Sequence, residues 1–253
     1  MAVVELRFHG ALNDFLAPRD RDRPLRRAVN GSPAVKDVIE AAGVPHVEVA
    51  AVLVDGQPVS LAHRVRDGER IAVFAEPPSG FDDAARIGLG AGPSEPEPIR
   101  FVADGHLGRL AAYLRMLGFD TAYSRDASDA ALADLAAREE RILLSRDLGL
   151  LKRSIVRRGY FPRSDHPHEQ LREVVRRFDL VRACRPFGRC LTCNGLLETI
   201  APALARPLVP PRVALEQAEF RRCASCGALY WRGSHHARML RLIERVLPDV
   251  VVR

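Results

Sequence analysis

Apolar and polar residues alternate in different rhythms along the chain, and the changes of rhythm divide it. Over residues 1–76, VVELRFHG alternates as a half-buried strand does. PAVKDVIEAAG reads as a short helix, VAAVLVDGQPV as a strand and turn, and DGERIAVFAE as a last strand behind a DG turn. Residues 77–98, PPSGFDDAARIGLGAGPSEPEP, lose all periodicity and are rich in Pro and Gly, which predicts a linker. GLGAG within it is no phosphate loop, because such a loop opens a helix and PSEPEPI cannot start one. Strand and helix patterns then alternate: strand 99–103, helix 107–117, strand 119–123, helix 129–140, strand 142–145 and helix 148–158. That order predicts an α/β fold with an open parallel sheet and helices on its faces. In the first of these helices Leu107, Leu110, Leu114 and Leu117 make one apolar stripe, and Gly118 stops it. The last periodic stretch, ARMLRLIERVLPDV, predicts a C-terminal helix over 237–253 that packs back on a neighbouring domain.

The strand, helix, strands order of residues 1–76 resembles the ubiquitin-like β-grasp domain of small sulfur-carrier proteins. Those carriers act through a free C-terminal Gly-Gly, which is adenylated and converted to a thiocarboxylate. Here Glu76-Pro77-Pro78-Ser79-Gly80 runs straight into more chain and leaves no carboxylate to activate. The expectation is therefore a docking module for protein or RNA, since a fold alone confers no chemistry.

Candidate chemistry gathers in residues 99–147. Asp104 ends the strand-like run IRFVA, Asp147 follows ILLSR, and Asp129 opens the helix between them. In open parallel sheets the crevice lies beyond the carboxyl ends of the strands, where both strand-terminal acids would sit. Carboxylates gathered there offer hard oxygen ligands to Mg2+ or Mn2+, ions that activate water and stabilise a leaving oxygen in phosphodiester hydrolysis. Each acid alone also has an ordinary structural use: Asp104 before Gly as a turn residue, Asp126 or Ser128 as a helix N-cap, Asp129 as a partner of the helix dipole. Period two puts Ser145 on the side of Asp147, as a hydroxyl that supports the acid or meets substrate. Arg109, in the first turn after Asp104, is placed to meet a phosphate. Asp120 and Asp134 read as solvated.

Charge adds an anionic partner to this picture. The formal net charge is +6, and almost all of the positive charge is Arg, the only lysines being Lys36 and Lys152. Arg suits bidentate phosphate contact, although Arg and Ala enrichment is equally the mark of a GC-rich genome. LGLLKRSIVRRG and PHEQLREVVRRF predict amphipathic helices whose basic faces are ordinarily solvated surface, and beside a nuclease cleft Arg153, Arg157 and Arg158 on the first would also hold an RNA backbone. No apolar run approaches the roughly 18 residues of a membrane span, and MAVVELRFHG has no basic region followed by an apolar one. The expectation is a cytoplasmic protein with no membrane contact.

Cys190-x2-Cys193 and Cys223-x2-Cys226 are two knuckles separated by residues 194–222. In a cytosolic chain, paired CxxC units at such spacing predict a four-thiolate zinc site, and four ligands leave no open position, which marks it as structural rather than redox or catalytic. Cys184 is left over as a buried small residue. Trp231 and His235, in YWRGSH after the second knuckle, are candidates for stacking on an RNA base, with a packing anchor for a small ribbon as the equal alternative for the lone Trp.

FVADGHLGRLAAYLRMLGFDT, SDAAL, RILLSRD, HEQL, RCLTCNGLL and CASCGALYWRGSHHARM, in this order, resemble the PIN-like RNase family named after the C-terminal domain of the mut-seven exonuclease. The resemblance covers about residues 99–245, and bacterial members of that family frequently carry an N-terminal ubiquitin-like domain. It implies a PIN-like nuclease domain over 99–182, a zinc ribbon over 183–236, and Asp104, Asp129 and Asp147 as catalytic metal ligands. PIN nucleases usually muster a fourth acid, for which Asp126 and Asp165 are both available. The expected protein is a Mg2+- or Mn2+-dependent ribonuclease with a structural Zn2+, acting on structured RNA such as tRNA. Two other readings remain: a non-catalytic RNA-binding adaptor, and a sulfur-transfer accessory protein that meets a protein partner through its β-grasp domain.

Overall fold

The structure, a computed structural model, describes residues 1–78 and 99–248. The expected linker lies outside these residues apart from Pro77 and Pro78, and with it the GLGAG run. In chain order the elements are β1 (Ala2–His9), β2 (Leu25–Val29), α1 (Val35–Ala41), β3 (Ala51–Val54), β4 (Gln57–Pro58) and β5 (Arg70–Phe74). They continue as β6 (Arg100–Ala103), α2 (Gly108–Met116), β7 (Asp120–Tyr123), α3 (Asp129–Arg138), β8 (Ile142–Leu144), α4 (Leu148–Leu151), β9 (Gly159–Tyr160) and α5 (Pro167–Arg177). The last are β10 (Leu197–Ile200), α6 (Pro202–Ala205), α7 (Pro211–Glu216), β11 (Phe220–Cys223), β12 (Leu229–Trp231) and α8 (Ser234–Val246). The described residues divide into two compact units, one drawn from Met1–Pro98 and Ala133–Phe161, the other from Ile99–Leu132 and Pro162–Arg253.

In the first unit five strands form a β-grasp sheet in the order β2-β1-β5-β3-β4, with β1 and β5 parallel and the other pairs antiparallel. The alternation in β1 does what it predicts: Val4, Leu6 and Phe8 are buried while Glu5 and Arg7 point away. They meet Val35, Val38 and Ile39 of α1 and Ile71 and Val73 of β5 in one core. Burying each such aliphatic or aromatic side chain is worth about 1.5–3 kcal/mol. β2 has no counterpart in the predicted elements, because LRRAV exposes three successive residues and so lacks alternation. It is an edge strand whose order comes from pairing with β1, Leu6 facing Leu25.

The same unit holds β8 and β9, a parallel pair registered Leu143 to Gly159 and Leu144 to Tyr160. All three residues of β8 are buried, as in a strand covered on both faces. The helix expected over 148–158 is a single turn that ends at Leu151. Beyond it Val156 is fully buried while Ile155 is 45% exposed, so the inward residue is not the one a continuing helix would choose. Extended backbone is needed from Gly159 to pair with β8. Arg153, Arg157 and Arg158 therefore lie on a turn and loop, not on a helix.

In the second unit β6 runs parallel to β7, Arg100 facing Asp120 and Ala103 facing Tyr123. The stripe of α2 is buried as predicted, with Leu107, Leu110, Leu114 and Leu117 at most 2% exposed. Gly118 takes φ +96°, a left-handed cap only glycine adopts cheaply. The parallel strands and their helices make the central layer of an α/β fold. After α5 come the antiparallel strands β10-β11-β12, the three-stranded sheet of a small ribbon. α8 follows directly, and Arg172 of α5 donates to the carbonyls of Val246 and Arg245 at its end. No helix among the described residues is long and apolar enough to cross a membrane.

Candidate active site and metal centre

Asp104 stands where β6 gives way to a turn of 3-10 helix, and its Oδ1 accepts the His106 N–H at 2.8 Å. It is 6% exposed, a low figure for a carboxylate. Gly105 and Tyr123 shape this turn. The Tyr123 hydroxyl donates to the Gly105 carbonyl at 3.1 Å, and a Cβ on Gly105 would fall 2.5 Å from the Arg125 carbonyl oxygen. Tyr123 is no candidate in the sequence, because one aromatic at a strand end carries no local signal. Arg109 is exposed in the first turn of α2.

Asp147 caps α4. Its Oδ1 accepts the N–H groups of Gly149 at 2.6 Å and Leu150 at 3.2 Å, while its own N–H donates to Ser145 Oγ at 2.9 Å. Ser145 is fully buried, so this hydroxyl holds the backbone of Asp147 from inside the protein. Asp129 is exposed in the first turn of α3, and Ser128 rather than Asp126 is the cap, its Oγ accepting the Ala131 N–H. Asp126 is exposed two residues before it. Arg153 and Arg157 are exposed and Arg158 is half-buried. Asp104, Asp126 and Asp129 belong to one unit and Asp147 to the other.

Among the described residues, the one group of three or more His, Cys, Asp or Glu side chains gathered closely enough for a single ion is Cys190, Cys193, Cys223 and Cys226. Their ligand atoms lie within 4.8 Å of one another. Cys190 Sγ is 3.7 Å from Cys226 Sγ, and Cys193 Sγ is 3.4 Å from Cys223 Sγ. In each knuckle the N–H of the second cysteine points at the sulfur of the first, at 3.5 Å. Burial pushes the Cys190 thiol up, but the Tyr230 hydroxyl, 3.0 Å away, and the backbone N–H groups of Cys193 and Thr192 more than reverse this, to about 6. Cys193 moves the other way, to about 12: the N–H of Gly195 lowers it, but hydrogen bonding with the neighbouring sulfurs outweighs that. Four thiolates this close repel one another unless a cation neutralises them. The leftover Cys184 is buried, and burial raises its thiol to about 11.

Arg115 and Asn194 tie this cluster to the helix and strand beside it, and neither is singled out by the sequence. Arg115, only 5% exposed on α2, donates to the carbonyls of Leu191 at 3.0 Å, Thr192 at 2.9 Å and Thr121 at 2.9 Å. Burial lowers its guanidinium from the ordinary value, against the pull of Cys190 and Cys193. Asn194, at φ +71°, accepts the Thr121 N–H and donates to Asp120. Asp120 also faces Arg189, which corrects its reading as a solvated acid. Trp231 is half-buried at the end of β12, and His235 is exposed in the first turn of α8.

Residues 1–79 match the family described as Mut7-C ubiquitin, and residues 99–243 match the Mut7-C RNAse domain. No curated protein matches. Two solved structures of small archaeal modifier protein 1 from Haloferax volcanii are similar at 20% and 21% identity. They cover 29% and 32% of this chain and 97% and 100% of theirs, each with a TM-score of 0.25. With more than half of its length matched by one family, and with the fold above, the chain belongs to the Mut7-C RNase domain family, joined to the ubiquitin-like domain of the same name.

Proposed function

We propose that this protein is a cytoplasmic, divalent-metal-dependent ribonuclease that cleaves structured RNA, tRNA being the first candidate. The observation that carries the reading is that Asp104, Asp129 and Asp147, each at the start of a helix or helical turn, all fall within the span of the RNase-family match. Their carboxylates have the hard oxygen donors that Mg2+ or Mn2+ requires, and backbone N–H groups already fix one oxygen of Asp104 and one of Asp147. These three residues would hold the metal, with Asp126 as the fourth acid. Bound there, the metal would supply Lewis acidity for phosphodiester hydrolysis. The exposed guanidinium groups of Arg109, Arg153 and Arg157, with Arg158, would bind phosphates, and Trp231 and His235 would meet bases.

For the four cysteines the resident ion is Zn2+. A tetrahedron with Zn–S bonds of about 2.3 Å has sulfurs about 3.8 Å apart, near the two separations given above. Arg115 supports the charge balance, because its guanidinium sits on the knuckle carbonyls between Cys190 and Cys193.

The nuclease reading is tested by RNA cleavage with and without Mn2+ in the wild type and in Asp147→Asn. Asparagine keeps the α4 cap but loses the charge, so activity is expected to fall at least about 100-fold while the melting temperature holds. Equal cleavage by both proteins, or none by either across several RNAs, overturns the reading. RNA affinity without cleavage, unaltered by Asp104→Asn, would instead identify an adaptor.

A further inference from the structure

The β-grasp domain does more than precede the nuclease residues, because three consecutive side chains of its turn His46–Glu48 reach residues 156–161. His46 Nε2 lies 2.9 Å from the Val156 carbonyl oxygen. Val47 packs over Gly159, where an added Cβ would fall 3.1 Å from Val47 Cγ2 and 3.0 Å from Leu151 Cδ2. Glu48 Oε1 accepts the Phe161 N–H at 2.6 Å. Beside them Lys152 Nζ donates to the Glu40 carbonyl at 2.9 Å, and the rings of Phe15 and Phe161 meet edge to face at 5.6 Å. His46 and Val47 are 7% exposed and Glu48 2%.

A surface that only needed to adhere would be apolar here, since a buried carboxylate is costly unless its hydrogen bonds are specific. The bond Glu48 makes is specific. The ladder between β8 and β9 stops at Tyr160, and Phe161 is the next residue. Its N–H is held by Glu48, the Tyr160 carbonyl accepts the Ser145 N–H at 3.2 Å, and Ser145 Oγ accepts the Asp147 N–H. Three hydrogen bonds, joined by the Tyr160–Phe161 peptide unit and the Ser145 side chain, thus lead from the β-grasp carboxylate to the Asp147 N–H.

Resting on the reading of Asp147 as part of the nuclease site, we propose that Glu48 is a positioning residue for Asp147. The β-grasp domain is the brace of the Asp147 loop in its own chain. Its carboxylate serves as a fixed acceptor, which explains a β-grasp domain with no free tail: what is used is the face carrying His46–Glu48.

The test compares full-length wild type, Glu48→Ala and Glu48→Gln by amide hydrogen exchange and by RNA cleavage kinetics in Mn2+. In Glu48→Ala, exchange at Phe161, Ser145, Asp147 and Gly149 is expected to rise at least about tenfold, with the β1 and β5 amides unchanged. kcat is expected to fall with KM unaltered. Glu48→Gln, whose Oε1 can accept the same N–H, is expected to restore both, which a general loss of packing would not. Unchanged exchange at Ser145 and Asp147 in Glu48→Ala overturns the proposal. Should that variant fail to fold, Lys152→Met, which removes only the bond to Glu40, is expected to raise exchange at Gly149 and Leu150, and unchanged protection there overturns it equally. A wild type that cleaves no RNA sinks the nuclease reading while the exchange data still decide the brace.

Discussion

The four cysteines and the three aspartates are both proposed ligand sets, yet the chain builds them in opposite ways. Each pair of cysteines is made by one tight turn, in which residues three apart face the same point and the backbone N–H of the second bonds the sulfur of the first. Two such turns brought together by β10, β11 and β12 complete the group. The aspartates come one from each of three separate elements, and each is also used locally, Asp104 and Asp147 capping helical turns and Asp129 facing the α3 N-terminus. A thiolate cluster has no other use for its residues, whereas a carboxylate is useful to the backbone wherever a helix begins. The first kind of site should be indispensable to local folding and the second nearly neutral to it.

Metal removal gives the widest separation between the two. Cys223→Ser, or a strong chelator, is expected to strip one zinc per chain and to unfold the ribbon, a loss on the order of 5 kcal/mol or more of local stability. Metal analysis with amide exchange over 188–231 checks this, and retained protection there would mean that the sheet stands without the ion. Next comes Arg115→Met, which keeps the apolar stem and leaves three carbonyls, that of the buried Thr121 among them, without their donor. Its expected cost is about 3 kcal/mol, read by urea unfolding, with metal bound less tightly. The smallest effect belongs to the aspartates. Asp147→Ala is expected to cost about 1 kcal/mol for the lost cap, and Asp147→Asn only a few tenths, as judged from melting curves. A loss from Asp147→Asn as large as that from Arg115→Met would erase the distinction.

What can be read from the residues follows the same division. The stripe of α2, the alternation of β1 and the Cys-x2-Cys knuckles each report on neighbours within a few positions, and each is found as expected. β2 escapes the periodicity because Arg26, Arg27 and Ala28 all face solvent, and pairing with β1 alone makes them a strand. The overlong helix after Asp147 comes from an apolar pattern that fits a helix. Pairing of β9 with β8, a contact distant in sequence, stops it. Asp120 reads as a solvated acid because its partner, Asn194, is 74 positions away.

By itself the sequence determined the class of fold, the place of the cysteine site and the acids worth suspecting, since periodicity, turn residues and short spacings act through the backbone nearby. Only the tertiary structure decided that a buried arginine fastens the ribbon to α2 and β7, and that Glu48 meets Phe161 across 113 positions. Those pairings join polar groups far apart in the chain, and their specificity exists only once burial has removed water as the competing partner.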